Sequence, residues 1–194
     1  SLFEHSIVQA KSSKFIDNIA VSTDSKKIKS ISLKHKIWCN ILRPKKISKD
    51  NSITSDAVLH VLNNINKQFD YVVELHPTHV FRKKNIIDNA LSKLISDKSF
   101  DSLFSIIKIK TTAHPDYVIK KNSNNKIDFK NSPSVFNRHF LKEYFMSTGV
   151  IIISKVKTFL KSKRMCNGKC YGYEVKDFLT KSNIDIIYDY ELTK

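Results

Sequence analysis

Glycine is scarce in this chain of 194 residues, with three in all, at Gly149, Gly168 and Gly172. Neither a GxGxxG fingerprint nor a Walker loop can be written with them, which excludes the glycine-rich phosphate cradles of the commonest nucleotide folds. No apolar run approaches the roughly 20 residues that a spanning helix needs, so no membrane partner is expected. Arginine is almost as rare. Of the 34 Lys+Arg that set a net charge of +16 against 18 Asp+Glu, only Arg43, Arg82, Arg138 and Arg164 carry a guanidinium. Arginine is the side chain that forks onto phosphates and guanine edges, and the lysines are scattered rather than gathered. No nucleic-acid partner is expected, and the charge speaks to solubility and steering. Three cysteines are too few and too odd for a disulfide framework in a chain without a visible secretory signal. They read as free thiols of a cytoplasmic protein. The spacing Cys166-x3-Cys170 lacks a second Cys/His pair to close a zinc tetrahedron.

What is present is alternation. Apolar residues recur at helical spacing over Leu2–Ala10, and Asn18–Ser22 reads as a short buried strand ending at Thr23-Asp24. A helix over Lys26–Lys34 follows, then an apolar segment Ile37–Leu42 and a helix carrying Val58, Leu59, Leu62 and Ile65, with Ser52 or Thr54 able to cap it. Asp70–Leu75 is apolar on both faces, as a central parallel strand should be. A helix near Asn85–Ile95, strands at Ser102–Ile107, Gly149–Ile153 and Tyr171–Val175, and a last apolar segment Ile184–Ile187 complete the pattern. With no repeat or linker, residues 1–194 form one domain. The fold class is α/β, a sandwich with a mainly parallel sheet. Ligands in such sheets sit at the carboxyl ends of strands, which points to Ser22-Thr23-Asp24, Arg43-Pro44, His76–Arg82 and the segment after Ile184.

The same segments, Ser1–Ile7, Asp17–Asp24, Leu42-Arg43-Pro44, Leu75-His76-Pro77-Thr78 and Arg82, stand in the order in which the acylneuraminate cytidylyltransferases carry theirs. The chain resembles that family, including its relatives acting on other nonulosonic acids. The resemblance implies a Rossmann-like three-layer sandwich of the nucleotide-diphospho-sugar transferase type. It also implies transfer of CMP from CTP to an acidic nine-carbon sugar of sialic, legionaminic or pseudaminic type, with Mg2+ or another divalent cation, in a homodimer. Residues 111–140 would be its dimerisation or substrate insertion. The family's first strand and phosphate loop have no counterpart after Ser1, so the domain is expected to be N-terminally incomplete and Ser1–Lys194 alone to turn over CTP poorly.

Carried over position by position, the resemblance gives Arg43, Ser52 and Thr54 to the nucleotide and His76, Thr78, Arg82 and Arg138 to the sugar. It makes Asp24 and Asp185 catalytic, with Asp185 and Asp189 as the metal carboxylates. Each has a plainer role beside it: an ion pair for Arg43, helix capping for Ser52, Thr54 or Asp24, a solvated loop for Arg138 and Asp185. The family's Asp-x-Asp here reads Asp185-Ile186-Ile187, and its Gln-Pro-Thr-Ser-Pro begins with His76 and has His79 for Ser. Those departures leave open a catalytically inactive nucleotide-binding homologue, or an enzyme selective for a less common sugar.

Overall fold

The computed structural model describes residues 1–110, 113–128, 141–177, 180 and 182–191. Six α-helices and six strands follow one another among them: α1 (Leu2–Lys11), α2 (Lys26–Lys34), α3 (Thr54–Asn64), β1 (Tyr71–Glu74), α4 (Ile86–Ser96), β2 (Ser102–Lys108), β3 (Lys120–Lys121), β4 (Ile127–Asp128), β5 (Phe145–Lys155), α5 (Val156–Ser162), β6 (Cys170–Glu174) and α6 (Ile187–Glu191). The four main strands lie in the order β1-β5-β2-β6.

The sheet corrects the expectation of a mainly parallel one. β5 is antiparallel to both β1 and β2, and only β6 pairs with β2 in parallel. β5, and not β1, takes a central place. Its stretch Val150–Ile153 is buried on both faces, so the centre of the sheet is where it loses least to water. β1, expected to be central, ends the four-strand order and is half-buried throughout.

Side chains alternate across β5 and divide the core in two. Ile151 and Ile153 join Leu103 under α4, whose Ile87, Ala90, Leu91 and Leu94 make one apolar stripe. Ile152 points the other way, with Phe104 and Val72, against Phe159 of α5 and Val58, Leu59 and Leu62 of α3. Helices thus cover both faces, giving three layers.

Three further expectations change. Asn18–Ser22 contracts to a single parallel bridge, Ala20 to Trp38, continued by Val21 N–H to the Trp38 carbonyl at 2.9 Å. The Ile184–Ile187 segment is no strand. Asp189 folds its carboxylate back onto the amides of Asp185 and Ile186, at 2.9 and 3.0 Å, and starts α6 instead. Neither Ser52 nor Thr54 caps α3, because Ile53 holds the cap position and leaves the first amides without a side-chain acceptor. Within the segment expected to be an insertion, His114 is buried, donates from Nε2 to the Lys142 carbonyl at 2.9 Å and meets Tyr117 and Tyr144 edge-on. Residues 129–140, with Arg138, lie outside the described residues.

Candidate functional site

Two clusters form where the sequence pointed. In the first, the 19–23 and 38–43 segments run side by side until Arg43 N–H donates to the Thr23 carbonyl at 2.8 Å. That contact lays Arg43 against Asp24, at 3.9 Å, while its Nε donates to Ser48 Oγ at 3.1 Å. Asp24 does not cap α2, since Ser25 does so by accepting from the Ile28 amide. The Arg43 side chain stays 27% exposed, with guanidinium N–H groups left for an anion or a base carbonyl. His60 of α3 stands within the Arg43 field. Burial first, then that charge, holds its imidazole below the usual histidine range. Its Nδ1 is buried and has no hydrogen-bond partner among the described residues. Ser52 Oγ is taken up within its own turn, accepting from the Lys49 amide, and Thr54 is exposed at the start of α3.

The second cluster is the loop after β1. Arg82, only 6% exposed, organises it. Its guanidinium donates to the carbonyls of Val150, His79 and His76, each at 2.6 Å, and to Ser6 Oγ and Gln9 Oε1 of α1 at 3.2 and 3.0 Å. No acid faces it. Burial lowers its pKa to about 10, so backbone dipoles carry the charge. Arg82 therefore spends its fork on the loop, rather than reaching toward a ligand.

Above it, His76 Nε2 donates to Glu74 Oε1 at 2.8 Å, and His79 Nδ1 donates to the Ser182 carbonyl at 3.2 Å. His79 is 2% exposed, and its pKa falls to about 4, chiefly through burial and then through the Arg82 charge. The loop is tied to the last segment a second time, by Ile184 N–H to the Thr78 carbonyl at 3.1 Å. That tie brings Asp185 into the field of His79. Asp185 is exposed and accepts from Asn183 Nδ2, and Asp189 reaches its amide. Ile187, which stands where a second acid was expected, is 73% exposed.

β5 closes the cluster through an irregularity. One residue of β2, Ser105, faces the stretch 148–151 of β5, and its Oγ bonds Thr148 Oγ1 at 2.9 Å and the Ile151 amide at 3.0 Å. The bulge turns Gly149 toward the loop at φ +69°, a region that costs glycine least. A Cβ there would meet His79 Nε2 at 3.4 Å and His76 Nδ1 at 3.7 Å.

The described residues contain no group of three or more His, Cys, Asp or Glu able to hold a metal ion. Cys39, Cys166 and Cys170 are free thiols. A hydrogen bond from Cys166 lowers the Cys170 thiol to about 6 and pushes that of Cys166 up. No helix among the described residues is long and apolar enough to cross a membrane.

The sequence profile of the cytidylyltransferase family matches residues 1–192. The chain belongs to that family. The chain is 31% identical over 101 residues to a pseudaminic acid cytidylyltransferase of Campylobacter jejuni, a match that covers 50% of this chain and 44% of that protein. It is 26% identical over 178 residues to an N-acylneuraminate cytidylyltransferase of Streptococcus agalactiae, covering 90% of this chain and 42% of the relative. The chain thus spans less than half the length of both. Its fold is that of a CMP:2-keto-3-deoxy-manno-octonic acid synthetase solved with CTP. The TM-score is 0.64 at 12% identity, over 91% of this chain and 79% of the other. The resemblance read from the sequence motifs is borne out.

Glu74, His60 and Ser48 were missed in the sequence. Glu74 had a signal, being the one charged residue in Tyr71–Leu75. His60 and Ser48 had none, since only folding sets them beside Arg43.

Proposed function

We propose that this cytidylyltransferase takes part in transferring CMP from CTP to an acidic nonulosonic acid, with release of pyrophosphate. The observation that carries the reading is the double tie between the loop after β1 and the segment carrying Asp185. It sets a donor-and-acceptor surface (His76, His79, Thr78) beside a pair of carboxylates. A sugar needs the first and a cation-bridged triphosphate the second.

In this transfer a sugar oxygen bonds the α-phosphorus as the bond to pyrophosphate breaks, so the protein's task is placement and charge stabilisation. Arg43 supplies a fork for the base or a phosphate, and the first turn of α3, which no side chain caps, favours negative charge. Asp185 and Asp189 fit a hard divalent cation such as Mg2+. Each offers carboxylate oxygen, and such ions accept one or two protein carboxylates when substrate phosphates fill the remaining positions. Bound there, the cation would neutralise charge developing on the departing pyrophosphate. His76, at the sugar side, favours a sugar other than N-acetylneuraminate.

Calorimetric titration of CTP with and without Mg2+ tests the nucleotide half. Pyrophosphate release across sialic, legionaminic, pseudaminic and deoxyoctulosonic acids tests the sugar half. Micromolar, Mg2+-dependent CTP binding is expected, with a slow pyrophosphate release that rises with one nonulosonic acid. Failure to bind CTP under any of these conditions sinks the proposal.

A further inference from the structure

Resting on that sugar-transfer reading, we propose that Glu74 is a positioning residue for sugar selection. His76 and His79 form with it a subsite over Gly149 that takes two adjacent hydrogen-bond donors of the sugar, a hydroxyl and a neighbouring acylamino N–H. The direction of the bonds decides this. A carboxylate and a carbonyl only accept, so His76 must donate from Nε2 to Glu74 and His79 from Nδ1 to Ser182. With one proton so placed, each ring keeps one acceptor that no described residue meets, Nδ1 of His76 and Nε2 of His79. Both look onto the same point, the place where a side chain at Gly149 would begin, 3.7 and 3.4 Å away. Glycine keeps that point clear.

Two acceptors facing one space select a ligand with donors. An anionic group would meet lone pairs there, and an alkyl group would leave two buried acceptors unsatisfied. Glu74 adds a second, independent sign. Its side chain is 10% exposed, and Oε2 is buried with no hydrogen-bond partner among the described residues, so this carboxylate is held for its neighbour and for what binds beside it. Arg82, beneath the loop, fixes the backbone of both histidines through their carbonyls and keeps the two rings at a centroid separation of 6.4 Å. Two donors on neighbouring sugar carbons span such a pair; a single hydroxyl does not.

The test compares two sugars on the full chain with saturating CTP: a 5-acylamino nonulosonic acid and its 4-O-methyl ether, which lacks the hydroxyl donor beside the acylamino N–H. Glu74→Gln should weaken the first about tenfold, the second less than threefold, and CTP not at all; His79→Ala should do the same. Long-range proton–nitrogen spectra should show His76 protonated on Nε2 and His79 on Nδ1, with the His76 tautomers mixing in Glu74→Gln. Equal losses for both sugars, or a His76 proton on Nδ1 in the unmodified protein, overturn the subsite while leaving the transfer reading intact. If neither sugar binds although CTP does and both tautomers are as stated, the sugar assignment itself fails, and the subsite with it.

Discussion

Replacing Arg82 by Met keeps the bulk of a long side chain and removes the guanidinium. Five bonds are lost, three of them to carbonyls at 2.6 Å. At roughly 1.5 kcal/mol for a hydrogen bond to a charged group, they total about 7 kcal/mol. Against that stands the cost of burying the charge. A pKa brought from 12.5 to about 10 by burial corresponds to about 3 kcal/mol. The difference predicts a net loss of about 4 kcal/mol, enough to move the midpoint of urea unfolding by more than 1 M in a domain of this size. Arg82→Lys keeps the charge and reaches fewer carbonyls, so an intermediate loss of about 2 kcal/mol is expected. A second readout separates this account from a general packing defect. The Arg82 charge helps to depress the His79 pKa, so in Arg82→Lys that pKa stays low, and in Arg82→Met it rises above about 4 in NMR titration. An Arg82→Met protein within about 1 kcal/mol of the parent would refute the reasoning, because the loop carbonyls would then have found other donors at no cost.

The depressed His79 pKa also makes stability depend on pH. The unfolded chain takes up a proton near pH 6.5 that the folded chain refuses until about pH 4. Its contribution is therefore complete above pH 6.5 and fades as pH falls toward 4, by roughly 2 kcal/mol at pH 5, and His79→Gln should flatten that part of a urea-midpoint profile. Gly149→Ala forces a side chain into φ +69° and sets a methyl 3.4 Å from His79, so a loss of about 1–2 kcal/mol is expected in thermal unfolding. Phe159→Ala empties the fully buried anchor of α5 and should cost about 3–5 kcal/mol in urea unfolding. Arg43→Ala should weaken CTP binding about tenfold by calorimetry and leave the unfolding free energy within about 1 kcal/mol, since its ion pair with Asp24 is long, at 3.9 Å, and partly exposed.

Helices were the most legible elements. α2 runs over Lys26–Lys34 as its spacing predicts, and α4 begins one residue after the predicted start. Strand positions were nearly as plain, but strand direction was not. An apolar run such as Gly149–Ile153 says that both faces are covered and nothing about which way its neighbours point. β5 could be read as buried, therefore, and not as antiparallel. The site shows the same division. Arg43 and Asp24 could be placed at a strand edge by pattern, and folding does join them. That Arg82 faces inward could not be seen, because a guanidinium bonding carbonyls 3, 6 and 68 residues away leaves no local spacing to read.

The position of β5 has a consequence for how the chain is made. β1 and β2 never pair with each other; each waits for the strand that lies between them, and that strand is synthesised roughly 80 residues after β1. At about 5–20 residues per second on the ribosome, β1 and its apolar face stand unpartnered for several seconds. The three-layer core then closes in one late event, when Val150–Ile153 emerges and joins both halves. During those seconds the nascent protein is most exposed to mispairing, and slowing translation between β2 and β5 should lower its soluble yield more than slowing it anywhere after α5.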